Sequence, residues 1–223
     1  MKYHPVRVLA VLFIIALPAM ILAQNIKDIE NNTYDTLTIG TQTWIKQNLR
    51  VTKFNDGTNI PMTTENGDWA VPSGPSYCWY NNDETIHKNT YGALYNWWVV
   101  DSKSNGGKNI CPAGWHVATN DEWTTLINFL GGEAYAGGKL KDTLLWKTPN
   151  KAATNESGFS ALPVGGRDNY GKFNSAGEYG WWWTSTESDA VSALMIGLGF
   201  DYSDAGRGAD SKKLGNAVRC LKD

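Results

Sequence analysis

The sequence predicts one α+β domain with two helices, short antiparallel strands and long ordered loops. Three observations carry that expectation. Residues Tyr34-Asp35-Thr36-Leu37-Thr38-Ile39 alternate apolar and polar, turn at Gly40-Thr41 and resume in Gln42-Thr43-Trp44-Ile45, the pattern of a β-hairpin. Trp123, Leu126, Ile127 and Leu130 recur at i, i+3, i+4 and i+7 behind Thr119 and Glu122, the pattern of a capped amphipathic helix. From Gly131 onward most of the 23 glycines separate short apolar runs such as Ala161-Leu162-Pro163-Val164 and Ala193-Leu194-Met195-Ile196, which implies short strands joined by loops.

At the N-terminus, Lys2 and Arg7 precede an apolar run from Val8 to Ala23, the layout of a secretory signal over residues 1–23. That run is shorter than the roughly 20 residues needed to span a bilayer, so no stable membrane span is expected once the signal is removed. The expected location is secreted, periplasmic or at the cell surface. Residues 24–32 read as a polar linker ahead of a domain over 33–223. After the hairpin, residues 55–76 are rich in Gly, Pro, Asn, Asp and Thr and predict an ordered loop. Tyr91, Leu94, Tyr95 and Trp98 share a helical face, so a first helix is expected after Thr90. The second helix, from about Asn120 to Leu130, carries Asp121 and Glu122 in its first turn, where they oppose the helix dipole; Gly131 stops it. Asn216-Ala217-Val218-Arg219-Cys220-Leu221 alternates again and predicts a last strand paired with the opening hairpin.

The net charge of −2 becomes −4 without Lys2 and Arg7, so there is no basic field to hold phosphates and no nucleic-acid partner is expected. Three cysteines allow three pairings. Cys111 with Cys220 is the expected disulfide, since closing so long a loop removes about 4 to 5 kcal/mol of unfolded-state entropy. Cys78, between Tyr77 and Trp79, is then a buried small hydrophobe.

An ordered series of motifs runs through the chain: Ile39-Gly40-Thr41-Gln42-Thr43-Trp44, Trp79-Tyr80-Asn81-Asn82-Asp83, Cys111-Pro112-Ala113-Gly114-Trp115-His116, Gly137-Gly138-Lys139-Leu140-Lys141, Gly165-Gly166-Arg167, Trp182-Trp183-Thr184-Ser185-Thr186-Glu187 and Val218-Arg219-Cys220. This series resembles the Fibrobacter succinogenes major paralogous domain, a family common in exported bacterial proteins. The resemblance covers nearly all of the chain after the signal. It implies a C-type-lectin-like architecture related to the formylglycine-generating-enzyme fold, and it brings no firmly assigned activity. Family members that look like ligand-displaying lectins vary after the Trp-Trp-Thr-Ser-Thr-Glu motif; here residues 188–213 depart from that pattern, with fewer tyrosines and more Gly and Asp.

Eleven tryptophans invite a carbohydrate reading, because an indole face stacks on a sugar ring. Most of them are better explained as core. In Trp181-Trp182-Trp183 a strand sends neighbours to opposite faces, and Trp181 is taken as the exposed aromatic. Candidate ligand-binding residues are Trp181 with Glu187, the polar run Asp201, Tyr202, Asp204, Arg207 and Asp210, and Arg167, Asp168 and Tyr170 from a neighbouring loop. Asp201, Asp204 and Asp210 also offer oxygens of the kind calcium takes, but no EF-hand register frames them, and no cofactor or metal is expected. Catalytic signatures are poor: no Gly-x-Ser-x-Gly elbow occurs, and a formylglycine-type cysteine pair late in the chain is missing. Glycoside hydrolysis needs only two facing carboxylates, and Glu187 with Asp201 is the candidate pair. The expected function is therefore an exported, non-catalytic binding or adhesion domain for a glycan or extracellular protein, with a carbohydrate-active hydrolase or a structural envelope module as alternatives.

Overall fold

A computed structural model of the chain describes residues 25–223, so the expected signal at residues 1–23 lies outside the described residues. The stretch expected to be a linker is folded. Strand β1 (Ile26–Lys27) pairs antiparallel with β2 (Thr33–Tyr34), and the turn between them is organised by buried Asp28. Its carboxylate accepts from the backbone N–H groups of Glu30 and Asn32, both at 2.9 Å, and from the Tyr34 hydroxyl at 2.8 Å. A local carboxylate thus replaces hydrophobic patterning as the reason for order.

Strands β3 (Thr36–Ile39) and β4 (Gln42–Ile45) form the expected hairpin. The loop over residues 55–76 contains one short helix, α1 (Asn66–Ala70). Strand β5 (Tyr77–Cys78) follows, then helix α2 (Glu84–Tyr91), capped by the Asp83 carboxylate on the Ile86 N–H at 3.0 Å. Here the structure overturns the helix expected after Thr90. Gly92 has φ +78°, and a Cβ there would fall 2.6 Å from the Leu49 carbonyl oxygen, so the backbone leaves the helix where it crosses Leu49. Beyond it come β6 (Leu94–Tyr95), paired with β5, and a 3₁₀ turn at Trp97–Val99. The helical spacing of Tyr91, Leu94, Tyr95 and Trp98 arises from a segment enclosed on more than one side.

Next are β7 (Trp115–Val117) and helix α3 (Asn120–Phe129), whose capping box joins Thr119 and Glu122 reciprocally. Helix α4 (Glu133–Leu140) follows at once, so there are four α-helices among the described residues where two were expected. The remaining strands are β8 (Gly166–Arg167), β9 (Phe173–Asn174), β10 (Tyr179–Glu187), β11 (Ser192–Gly199), β12 (Gly206–Ser211) and β13 (Cys220–Lys222). The architecture is α+β, built from several small antiparallel sheets.

Strand order is β3-β4-β13-β7 in the four-stranded sheet, where Leu221 lies opposite Trp44 as the predicted end-to-end pairing requires. A disulfide joins Cys111 to Cys220, with Cα atoms 6.0 Å apart, and locks the strand that closes the domain. Strands β10, β11 and β12 form a second sheet with hydrophobic core on both faces. Trp182 and Ile196 enter the core that includes Trp123, Leu126 and Ile127, while Trp183 and Met195 face the core that includes Tyr95 and Trp97. Between β6 and β10 runs the segment 215–217, bonded to Tyr95 through Asn216 and to Trp181 and Trp183 through Ala217.

Candidate functional site

Much of the backbone here is irregular, so many carbonyls lack ladder partners and must find donors elsewhere. Buried cations supply them. Lys141 Nζ donates to the carbonyls of Lys151, Gly199 and Tyr202 at 2.7–2.9 Å and sits 5.5 Å from the Trp146 ring centre. Burial pushes this ammonium down to about 8, against the pull of Asp201 and Asp204. Arg219 donates to Asn48 Oδ1 and to the carbonyls of Phe159 and Ser160, stacked 4.3 Å over Phe159. Arg167, only 1% exposed, donates to the carbonyls of Gly171, Thr63 and Thr64 and to Asn66 Oδ1, between Trp69 and Phe173. Arg167 was expected to touch ligand; its guanidinium instead fastens two loops together. It also lies beside buried Cys78, whose thiol is pushed up to about 12 by desolvation, with Arg167 opposing that shift.

Nine of the eleven tryptophans are buried, and Trp98 and Trp181 are half-buried. Trp181 stacks on Tyr179, with centroids 5.6 Å apart at 11°, and its ring lies across Gly197, where a Cβ would fall 3.1 Å from Cδ1. The ring walls a cleft of about 220 Å³ lined also by Asp168, Asn174, Met195, Asp210 and Asn216. Sheet register explains the assembly: Trp181, Met195 and Asp210 occupy alternating positions that share one face of β10-β11-β12.

The other candidates separate. Arg207 lies opposite Ile196 on the reverse face, where it bonds Thr124 Oγ1 at 2.8 Å and Glu133 at 3.3 Å. Asp201, Tyr202 and Asp204 form the loop held down by Lys141. Tyr170 is 69% exposed, and its backbone N–H is tied to Asp168. Glu187 is ion-paired with buried Lys212 at the far end of the β10-β11 hairpin from Asp201. At about 3.3 Å per residue along the strand, Glu187 and Asp201 stand on the order of 20 Å apart. That separation is too wide for the proposed hydrolytic pair, which needs roughly 5–10 Å. Among the described residues no three His, Cys, Asp or Glu side chains gather into a metal-binding group, so the three aspartates do not form the calcium cluster considered above.

A larger hollow of about 610 Å³ lies against the loop at residues 58–76. It collects none of the candidate residues, Trp69 there is buried, and Asn105 and Ser76 are satisfied internally.

A family model described as the Fibrobacter succinogenes major domain matches residues 37–222. The chain belongs to that family. No curated protein and no solved structure matches it. Read onto the fold, the Fibrobacter succinogenes major domain motifs belong largely to the frame: Lys141, Arg167 and Arg219 are the buried cations just described. In the Gly137-Gly138 pair a Cβ at Gly137 would fall 2.0 Å from the Asp204 carbonyl oxygen, so α4 packs directly on backbone. His116 is held between two carboxylates, Nδ1 to Asp223 at 2.7 Å and Nε2 to Glu122 at 2.9 Å. Burial pulls its pKa down, the two carboxylates pull harder, and the net shift is upward. The cleft residues Asn216 and Met195 were missed from sequence, because each sits in an apolar, strand-like run with no local mark of exposure to a cavity. Among the described residues no helix is long and apolar enough to cross a membrane.

Proposed function

We propose that this chain is an exported recognition domain of lectin-like architecture, without catalytic chemistry, which binds a glycan or an extracellular protein at the cleft walled by Trp181. The observation that carries the reading is the half-buried indole of Trp181, held by a glycine-lined sheet and opening into a cleft with free polar atoms. Aromatic walls with a few convergent polar groups are the usual make-up of small-ligand sites. Pinned loops support it, because a preorganised surface loses less entropy on binding. The test is a glycan-array and protein pull-down screen on residues 24–223, repeated with Trp181→Ala. Capture by the parent and its loss in a variant that still melts cooperatively supports the proposal. Capture unaffected by Trp181→Ala removes the cleft from it, and flat results in both screens favour a structural envelope module.

A further inference from the structure

We propose that the cleft recognises a primary ammonium group carried beside a flat apolar face, a refinement that rests on reading Trp181 as the binding wall. Carboxylate and amide acceptors line it, and the donors that share the lining free of other partners, the Trp181 indole N–H and the Asn174 amide, are neutral. Asp168 Oδ1 accepts from the backbone N–H groups of Tyr170 and Lys172 at 2.9 and 2.8 Å, and Asp210 Oδ1 from that of Ser211 at 2.7 Å. The Oδ2 atom of each takes no hydrogen bond among the described residues.

Asn216 separates this cleft from an ordinary acidic surface. The residue is 1% exposed, and reciprocal backbone bonds to Tyr95 at 2.9 and 3.1 Å fix it in place. Nδ2 donates to Met195 Sδ at 3.4 Å. The opposite amide orientation would set one acceptor against another, so Oδ1 is the atom left over. It accepts from no described residue, and Asn216 lines the cleft. That oxygen is open to the cleft rather than sealed in the interior, so a ligand donor can take the place of water on it.

Of the neighbouring cations, Arg167 and Lys213 are committed elsewhere. Arg167 shares the lining, but its guanidinium donates to Gly171, Thr63, Thr64 and Asn66, none of which lines the cleft. Lys213 Nζ donates to the Ala70 carbonyl at 2.8 Å. An ammonium has three donors and no acceptor, which matches Asp168, Asp210 and Asn216, and an indole face adds cation–π attraction. A carboxylated or sulfated ligand would meet two like charges. The volume of about 220 Å³ accommodates one sugar ring or the end of one side chain. Two sources supply this chemistry: an amino sugar with a free amine, or a lysine of a protein partner.

The experiment follows the Trp181 indole N–H resonance of the ¹⁵N-labelled protein, assigned by its loss in Trp181→Phe, during titration with glucosamine, N-acetylglucosamine and Nα-acetyl-lysine methylamide. The proposal predicts that the two amines shift the resonance and N-acetylglucosamine does not. Asp210→Asn, which keeps Oδ1 for Ser211, should weaken binding about tenfold. Tighter glucosamine binding identifies a glycan source and tighter lysine binding a protein source. Equal shifts with N-acetylglucosamine, or unchanged affinity in Asp210→Asn, overturn the ammonium assignment while leaving Trp181 as the wall. No shift with either amine also overturns it. A glycan captured on the array whose binding survives Trp181→Ala overturns both readings.

Discussion

Arg167 and Asp168 stand side by side in the chain and belong to different regions of the molecule. The arginine, with Arg219 and Lys141, lies in a buried framework where donors are matched to the carbonyls of irregular loops. The aspartate borders the cleft, where acceptors remain open beside Trp181. The same polar vocabulary thus serves two purposes, and the deciding variable is burial with partners taken, rather than residue type. A charge removed from water is kept only where enough hydrogen bonds replace its hydration. The proposed recognition site lies where that matching is left incomplete and solvent can reach it.

The comparison can be broken first at the framework's covalent closure. Replacing Cys111 and Cys220 with alanine should lower the unfolding free energy by about 4 to 5 kcal/mol for a loop of this length, measured by urea denaturation. Lys141→Met should cost about 3 kcal/mol, because the buried Gly199 carbonyl and the partly buried Lys151 and Tyr202 carbonyls lose their donor together. An unchanged unfolding midpoint would mean that water replaces the ammonium without loss. On the cleft side, Trp181→Ala should cost about 1 kcal/mol or less, as for a half-exposed residue, yet remove ligand capture. Calorimetry and a binding assay on the same sample would show whether stability and recognition separate as expected.

The smallest effect belongs to His116. Its folded pKa is raised, so its favourable contribution is complete below the unfolded value and fades as pH rises through the folded one. Glu122 is lowered on balance: burial pushes it up, but hydrogen bonds from Thr119 and His116 outweigh this, and its share fades as pH falls through its folded value. His116→Gln should flatten the alkaline side of the stability profile by about 0.5 kcal/mol, a small figure because the pair is partly exposed.

What could be read from sequence was what local chemistry decides. Thr119 and Glu122 fix the start of α3 through bonds three residues apart, and alternation over residues 34–45 suffices for the hairpin. The pairing of Cys111 with Cys220 was also expected correctly. Gly92 defeated the reading of Tyr91 to Trp98, because the constraint on it is the Leu49 backbone, 43 residues away in sequence. The linker reading failed at Asp28, where a carboxylate does the folding that apolar residues usually do. Within the candidate site, Trp181, Asp168 and Asp210 were legible as polar or aromatic residues on loops and strand ends. Arg167 lines the cleft, but the framework role of its guanidinium was not legible because the Thr63 and Thr64 carbonyls it serves lie about a hundred residues away, and Asn216 was missed because only the tertiary fold brings it to the cleft.

The division between framework and cleft is tested most directly at the residue that sequence alone would place with the ligand. Arg167→Met leaves the carbonyls of Thr63, Thr64 and Gly171 without their donor. Urea unfolding of this variant should show a loss of about 3 to 5 kcal/mol. An unfolding free energy within about 0.5 kcal/mol of the parent, together with lost ligand capture, would contradict the account.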